Sequence, residues 1–305
     1  MNTHIEKQQR YIQSADVTLS VYEWGQSLEE RETLVFIHGY PDEAQIWDEL
    51  VSRLKADFHI VTYDVRGTGL SGKPLSEAGY HMDYLVSDLK EVIQQTSPNR
   101  PVHLIGHDLG ALQGWAAVLD DKLKDYIKSY TALAPSIDHA GMWFKENLNS
   151  KEPVKMFAAI KQMISSSYML FFNLPFLPEL SWYLVLAKAW PQLVSQLEGK
   201  KIARHPNQLK NGIRGLGFYR LNLFKPLLNA QKRYTSVPIH VLSMTKDRFV
   251  PQHIVDKQDR WVNSSFTRTD IPLGHWGIAS HPDLVATPIR NYIQKLTAKK
   301  IKLEV

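Results

Sequence analysis

The chain has 305 residues, 44% of them apolar and 22% charged, a balance typical of globular proteins and long enough to bury a large core. Its formal charge of +5 is spread along the chain, and no nucleic-acid-binding module is discernible, so nucleic acid is excluded as the expected partner. With no cysteine, disulfides and thiolate metal sites are excluded as well.

Met1 to Arg10 are polar, and without an apolar run no secretory leader is expected there. Short β-branched runs then alternate with longer helical patterns, the rhythm of βα units on a mostly parallel sheet. Residues 10–14 and 18–24 flank Ala15-Asp16 and predict an antiparallel hairpin at one edge. Further strands are predicted over 33–38, 59–64, 102–106, 129–134, 239–244 and 265–270, and helices over 46–55, 82–96, 109–119, 252–259 and 282–296. Between 137 and 237 the pattern is helical and rich in aromatic residues, with no strand signal. The expected architecture is therefore of the α/β class. A core of residues 1–136 and 238–305 carries eight mostly parallel strands with helices on both faces, interrupted by a helical lid over 137–237.

Within that lid, residues 168–190 are rich in Leu, Phe and Trp, but Pro175, Pro178 and Glu179 interrupt them. A membrane span wants about 20 uninterrupted apolar residues. Buried or cleft-lining helix is expected instead, without membrane association, in a cytoplasmic protein. The basic end at Lys299, Lys300 and Lys302 reads as a frayed, solvated tail.

Chemistry concentrates where strands end. The strand at 102–106 runs into Gly106-His107-Asp108-Leu109-Gly110, followed at once by a helix. This strand–turn–helix context is that of a nucleophile elbow, with Asp where hydrolases usually carry Ser. Asp is also a favoured helix N-cap, the structural alternative for Asp108. An aspartate carboxyl, with an ordinary pKa of about 3.9, is ionised at neutral pH and needs no base to become a nucleophile. Attack on a saturated carbon gives an alkyl ester that water can cleave at its acyl carbon. A serine attacking the same carbon would give an ether that the same machinery could not hydrolyse. The elbow thus points to displacement at carbon, as in epoxides or alkyl halides.

His275, in Gly274-His275-Trp276 after the last strand, is the candidate general base, and Asp247, leaving the preceding strand, the acid that orients it. The order nucleophile, acid, histidine is that of the hydrolase fold. His38, His107 and His139 are rival bases, the first two better read as hydrogen-bonding residues inside motifs, and Asp138 is the runner-up acid. His38-Gly39-Tyr40-Pro41 follows the strand at 33–38. Its loop and the residue after the nucleophile are where this architecture puts oxyanion donors, giving the N–H groups of Tyr40 and Leu109. Pro41 is expected to be cis. The turn-rich run from Asp64 to Ser71 reads as scaffold.

Together these motifs resemble the epoxide hydrolases of the α/β-hydrolase fold, over nearly the whole chain. The resemblance implies two lid tyrosines that grip the epoxide oxygen. Tyr168, in Tyr168-Met169-Leu170-Phe171-Phe172, and Tyr219, in the Tyr219-Arg220 pair, match those positions. It also implies a small apolar epoxide and water as substrates, with neither cofactor nor metal. Met169, Phe172 and Trp276 are expected to meet the substrate, and Phe171, Trp182 and Trp190 to line the cleft. Two departures stand out: Leu109 replaces the Trp common after the nucleophile, and Ala134-Pro135-Ser136 replaces an Asn-containing run.

The rivals are a haloalkane dehalogenase and a non-catalytic binding module on the same fold. The first uses the indole N–H of a Trp after the nucleophile, which Leu109 lacks, and Tyr40 stands where that family commonly has Asn. The second need not keep a triad, whereas every part is present here. A serine esterase would have to recruit Ser71 or Ser136, neither in an elbow context.

Overall fold

A computed structural model describes residues 6–25, 31–203 and 205–303, with the side chains from 299 onward, including Lys299, Lys300 and Lys302, outside the described residues. Eight strands form one sheet: β1 (Lys7–Ser14), β2 (Val17–Trp24), β3 (Thr33–Ile37), β4 (His59–Tyr63), β5 (Val102–Gly106), β6 (Ile127–Ala132), β7 (Ile239–Met244) and β8 (Phe266–Ile271). Their spatial order is β1-β2-β4-β3-β5-β6-β7-β8. The β1–β2 and β2–β4 pairs are antiparallel and all later pairs parallel, so the hairpin forms one edge as expected.

The central strands β3, β4 and β5 are buried at every residue, as strands covered on both faces must be. Their alternation sorts the core into two layers. Leu34, Phe36, Ile60 and Ile105 face a cluster with Trp47 on the 3₁₀ turn before the first helix, Leu50 and Leu54 of that helix, and Ile289 and Ile293 of the last helix. Val35, Ile37, Val61 and Leu104 face Leu85, Leu89, Trp115 and Val118 on the other side. Each such side chain contributes about 1.5–3 kcal/mol through its removal from water.

The helices of the core are α1 (Asp48–Leu54), α2 (Met82–Thr96) and α3 (Leu109–Val118). After β6 the chain makes α4 (Ile137–Leu148), α5 (Pro153–Ser165), α6 (Tyr168–Asn173), α7 (Leu177–Ser181), a π-helical turn (Trp182–Leu186), α8 (Ala187–Glu198), α9 (Gln208–Asn222) and α10 (Phe224–Leu228). It then returns through β7, α11 (Gln252–Val255), β8, α12 (Gly277–Ser280) and α13 (Pro282–Leu303).

Most differences from expectation have local causes. β1 begins three residues early because the polar Lys7, Gln8 and Gln9 still pair with β2 on an exposed edge. β6 lies two residues toward the N-terminus of its expected position. The predicted helix at 252–259 ends at Val255, where Asp256 turns extended, and after Lys257, with a left-handed φ of 63°, a 3₁₀ turn follows over Gln258–Trp261. The expected frayed end is helical through Leu303. A larger correction concerns residues 168–190. Phe172, Pro178 and Trp182 are buried, but Leu170, Leu174, Phe176, Leu177, Leu180, Tyr183, Leu184 and Val185 are exposed. Short helices broken by proline can bury only one face each, so this stretch is half core and half surface.

Candidate active site

The candidate residues gather at the carboxyl ends of β3, β5, β7 and β8, beside the point where the chain order reverses between β4-β3 and β5. Asp108 sits between β5 and α3 with φ 54° and ψ −124°, a conformation that costs a non-glycine residue on the order of 1–3 kcal/mol. Two glycines permit the turn. A Cβ on Gly110 would lie 2.3 Å from the Ile37 carbonyl oxygen, so α3 can run this close to β3 only without one. A Cβ on Gly39 would lie 2.4 Å from Asp108 Cβ, so the loop after β3 rests directly on the elbow.

Asp108 is also the first residue before α3, yet its hydrogen bond is not that of an ordinary cap. Oδ1 accepts from the N–H of the adjacent Leu109 at 2.7 Å, rather than from a residue two or three further on. Oδ2 points the other way and lies 3.9 Å from His275 Nε2. The two oxygens are thus differentiated, one held by a backbone donor and one left toward the cleft.

His275 Nδ1 donates to Asp247 Oδ2 at 2.7 Å. Asp247 Oδ1 accepts from the N–H groups of Phe249 at 2.7 Å and Val250 at 2.9 Å, which fixes the carboxylate's orientation. Burial works against charge on Asp247, but His275 and these two donors hold its carboxyl below the ordinary range. Burial likewise opposes charge on His275, and the carboxylates of Asp247 and Asp108 on either side overcome it and raise the imidazole's pKa well above its usual value. The rival histidines have other partners. His107 Nε2 donates to the His275 carbonyl at 2.8 Å, and burial with the neighbouring His275 lowers its pKa to about 4. His38 Nδ1 donates to the Gly39 carbonyl and Nε2 accepts from the Val65 N–H. His139 accepts from Trp261 Nε1, and Asp138 is bound by Arg233 and the Gln231 N–H. Ser71 accepts from the Ser20 N–H of β2 and donates to the Asp64 carbonyl, and Ser136 caps α4 by accepting from the His139 N–H.

The helical insertion brings aromatic rings to the elbow. Tyr168 (α6) and Tyr219 (α9) have ring centroids 6.4 Å apart. Both phenols have raised pKa values, first through burial and then through neighbours that for each include the Asp108 charge. Phe172 packs edge-on against Tyr40, Tyr168 and Tyr219 at 5.6, 5.8 and 5.1 Å. Met169 is half-buried in the same cluster. The Tyr40–Pro41 bond is cis, and the Tyr40 hydroxyl donates to the Gly212 carbonyl of α9 at 2.9 Å. Trp276 packs against His275, Phe249 and Trp190. Its ring lies 4.7 Å from His275 and its indole N–H donates to Asp42.

Four residues absent from the sequence reading support this arrangement. Phe249 bridges His275 and Tyr168, with centroids 5.1 and 6.0 Å away. Glu198, at the end of α8, accepts from the Trp276 N–H and the Ser280 hydroxyl, both at 2.9 Å, so the insertion holds the loop that carries His275. Asp42 takes the Trp276 indole and lies 3.5 Å from His205 Nε2, and the two hold each other charged despite burial. Asp42 adjoins the Tyr40-Pro41 motif and Phe249 follows Asp247 closely, so both were within reach of a sequence reading. Nothing local marks Glu198 or His205.

Comparison with known proteins bears on the fold. The chain is 28% identical over 304 residues to the probable oxidoreductase EphD of Mycobacterium tuberculosis, covering 97% of this chain and 51% of that protein. It therefore spans about half the length of those relatives. It is 22% identical over 285 residues to Epoxide hydrolase 4 of Homo sapiens, covering 88% of this chain and 74% of the other. Among solved structures, an epoxide hydrolase from Bacillus megaterium in complex with its product superimposes with a TM-score of 0.75 at 22% identity, over 93% of this chain and all of that one. A family described as the alpha/beta hydrolase fold matches residues 32–282. The chain belongs to the α/β-hydrolase fold family.

Proposed function

We propose that this chain is an epoxide hydrolase, opening an apolar epoxide to a vicinal diol through an ester on Asp108, beneath a lid formed by residues 137–237. The observation that carries the reading is the pairing of a carboxylate at the elbow, set toward His275 and Asp247, with the half-buried Tyr168 and buried Tyr219, whose rings lie 6.4 Å apart and whose phenols both feel its charge. The relatives named epoxide hydrolases, one of them bound to a naphthyloxy propanediol product, support the same substrate class.

In the proposed sequence the epoxide oxygen accepts hydrogen bonds from Tyr168 and Tyr219. Asp108 Oδ2 forms a bond to a ring carbon as the carbon–oxygen bond breaks, and the alkoxide takes a tyrosine proton, a transfer typically worth about 10²–10⁴-fold. Ester formation removes one of the two anions that keep His275 protonated. The imidazolium proton then restores the tyrosine, and Nε2 becomes a base only once there is an ester to cleave. Water attacks Cγ and gives its proton to Nε2, while the oxyanion develops on Oδ1, already bonded to the Leu109 N–H. The Tyr40 N–H is the second donor. Collapse breaks the Cγ–Oδ2 bond, and His275 protonates the leaving diol. It then takes the proton of the regenerated Asp108 carboxyl, which returns the site to its starting state. No step calls on a metal or cofactor.

Two other readings each have one supporting observation. The Trp182 and Trp190 rings lie 5.3 Å apart, the Trp190 indole N–H is buried without an acceptor among the described residues, and paired indoles are a halide's natural partners. The EphD name and the run Gly67-Thr68-Gly69-Leu70-Ser71-Gly72 suggest dinucleotide chemistry. That run, however, opens no helix, and a phosphate-binding glycine loop requires one. Its N–H groups bond within the protein, Gly67 to the Gly72 carbonyl, Gly69 to Asn211 and Gly72 to the Thr18 carbonyl.

The test is single-turnover hydrolysis of an aryl epoxide in ¹⁸O water, with mass spectrometry of the peptide containing Asp108. Label in that carboxylate and an unlabelled diol are the expected result. Label delivered straight to the diol would refute the ester, and halide release from bromoalkanes without any diol would move the chain to the dehalogenases.

A further inference from the structure

The outer surface of the helical insertion is far more apolar than the rest of the molecule. Of the twenty-four large hydrophobic residues exposed among the described residues, fifteen lie between Val154 and Leu193. Val154, Phe157, Ile164, Phe176, Tyr183 and Val185 are 80, 68, 69, 83, 68 and 59% exposed. Isolated exposed apolar side chains are ordinary, but a run of this size marks an interaction surface. Phe176 is the extreme case. It stands between α6 and α7 with φ 63°, a conformation rare for a bulky residue, and its ring faces solvent.

Charge on the same segment is one-sided. Residues 137–237 hold fourteen Lys and Arg against five Asp and Glu, a net +9 in a chain of +5, so the remainder carries −4. From Lys151 to Lys201 the acids are already engaged: Glu152 pairs with Lys155, Glu179 with Arg220, and Glu198 binds the Trp276 N–H and the Ser280 hydroxyl. Lys151, Lys161, Lys188 and Lys201 are exposed, with no carboxylate partner among the described residues. Exposed aromatic and aliphatic residues interleaved with unneutralised lysines, on short helices, form the pattern of an element that lies in a bilayer interface. No helix among the described residues is long and apolar enough to cross a membrane, so the contact would be peripheral.

We propose that the outer face of α5 to α8 docks on the surface of an anionic lipid bilayer, with Phe176, Tyr183 and Val185 entering the headgroup–acyl boundary and the lysines meeting lipid phosphates. Docking puts the surface of the insertion, whose inner side packs on the elbow, against the phase where apolar small molecules dissolve. The idea is independent of the reaction proposed above. A basic protein of ordinary surface would be held by charge alone, whereas this face requires both charge and apolar insertion.

The test is co-sedimentation of the 305-residue chain with phosphatidylcholine vesicles, with and without phosphatidylglycerol, at low and high salt. Binding is expected to the anionic vesicles, rising about fivefold for each cation that reaches the surface and weakening with salt. The combined variant Phe176→Ser, Tyr183→Ser and Val185→Ser should lose on the order of tenfold for each side chain withdrawn. A second variant, Lys151→Glu with Lys161→Glu and Lys188→Glu, should abolish the preference for anionic lipid. These positions are exposed, and circular dichroism of each variant checks that the fold is kept. Absence of vesicle binding, or binding unchanged by both variants, would overturn the proposal. So would light scattering that shows a dimer dissociated by the serine variant without lipid binding, since a second copy would then cover the face.

Discussion

Replacing Asp247 by Asn preserves shape and removes one charge, and hydrogen-bond geometry decides its effect. Asp247 Oδ1 receives two backbone N–H groups and Oδ2 faces His275 Nδ1. An amide has only one oxygen. Turning its NH₂ toward Phe249 and Val250 would leave two buried donors unpaired, at about 1–3 kcal/mol each. The oxygen therefore stays with them and the NH₂ faces His275. To accept from it, the imidazole must carry its proton on Nε2, directed at Asp108 3.9 Å away. That tautomer cannot take a proton from water, and the equivalent exchange in a Ser-His-Asp triad costs about 10⁴ in kcat. The alkylation step uses Asp108 and the tyrosines alone, so it should stay within roughly tenfold while ester hydrolysis falls by about 10³–10⁴. Rapid-quench kinetics with mass spectrometry of the Asp108 peptide should show ester accumulating to near one per site. Equal slowing of both steps, or hydrolysis within roughly tenfold of the wild type, would refute the tautomer argument.

Tyr219→Phe and Tyr168→Phe should each lower the alkylation rate by about 10–100-fold without affecting breakdown of an ester once formed. The double variant should fall well short of the product of the two. Because burial and then neighbouring charge raise both phenol pKa values above the ordinary 10, the donors stay protonated and alkylation should show no alkaline limb below pH 10. A limb near pH 8 would contradict this. Glu198→Ala strips the His275 loop of two hydrogen bonds to a carboxylate, each worth about 1.5–3 kcal/mol, and should lower both Tm and kcat. Glu198→Gln should restore kcat and the pH profile of hydrolysis, because it keeps an acceptor for the Trp276 N–H. A normal kcat and pH profile in the Ala variant would remove Glu198 from the positioning of the base.

Much of the fold was legible because its signals are local. Fully buried central strands must be short apolar runs, and 102–106 and 239–244 were readable at their observed bounds. The elbow was legible for the same reason: strand, glycine-flanked Asp and helix are contiguous, so one stretch of chain specifies the strained turn. Asp247 and His275 were readable as strand-end residues, and the topology of a parallel sheet brings strand ends to one edge.

What sequence alone left open depends on packing between distant segments. The inward or outward direction of residues 168–190 is not encoded in their hydrophobicity, which is high throughout. It is decided by which face of each proline-broken helix meets α9 and Tyr40, and this buries Trp182 beside an exposed Tyr183. Glu198 and His205 carry no motif, since each matters only through partners 78 and 163 positions away in the chain. The sequence by itself determined the sheet and the strand ends at which Asp108, Asp247 and His275 stand, because each is written within one strand and its following turn. Only the tertiary structure decided which oxygen of Asp108 faces His275, how the insertion grips the His275 loop, and which apolar residues remain on the outside. Those outcomes depend on distances between segments that no local pattern records.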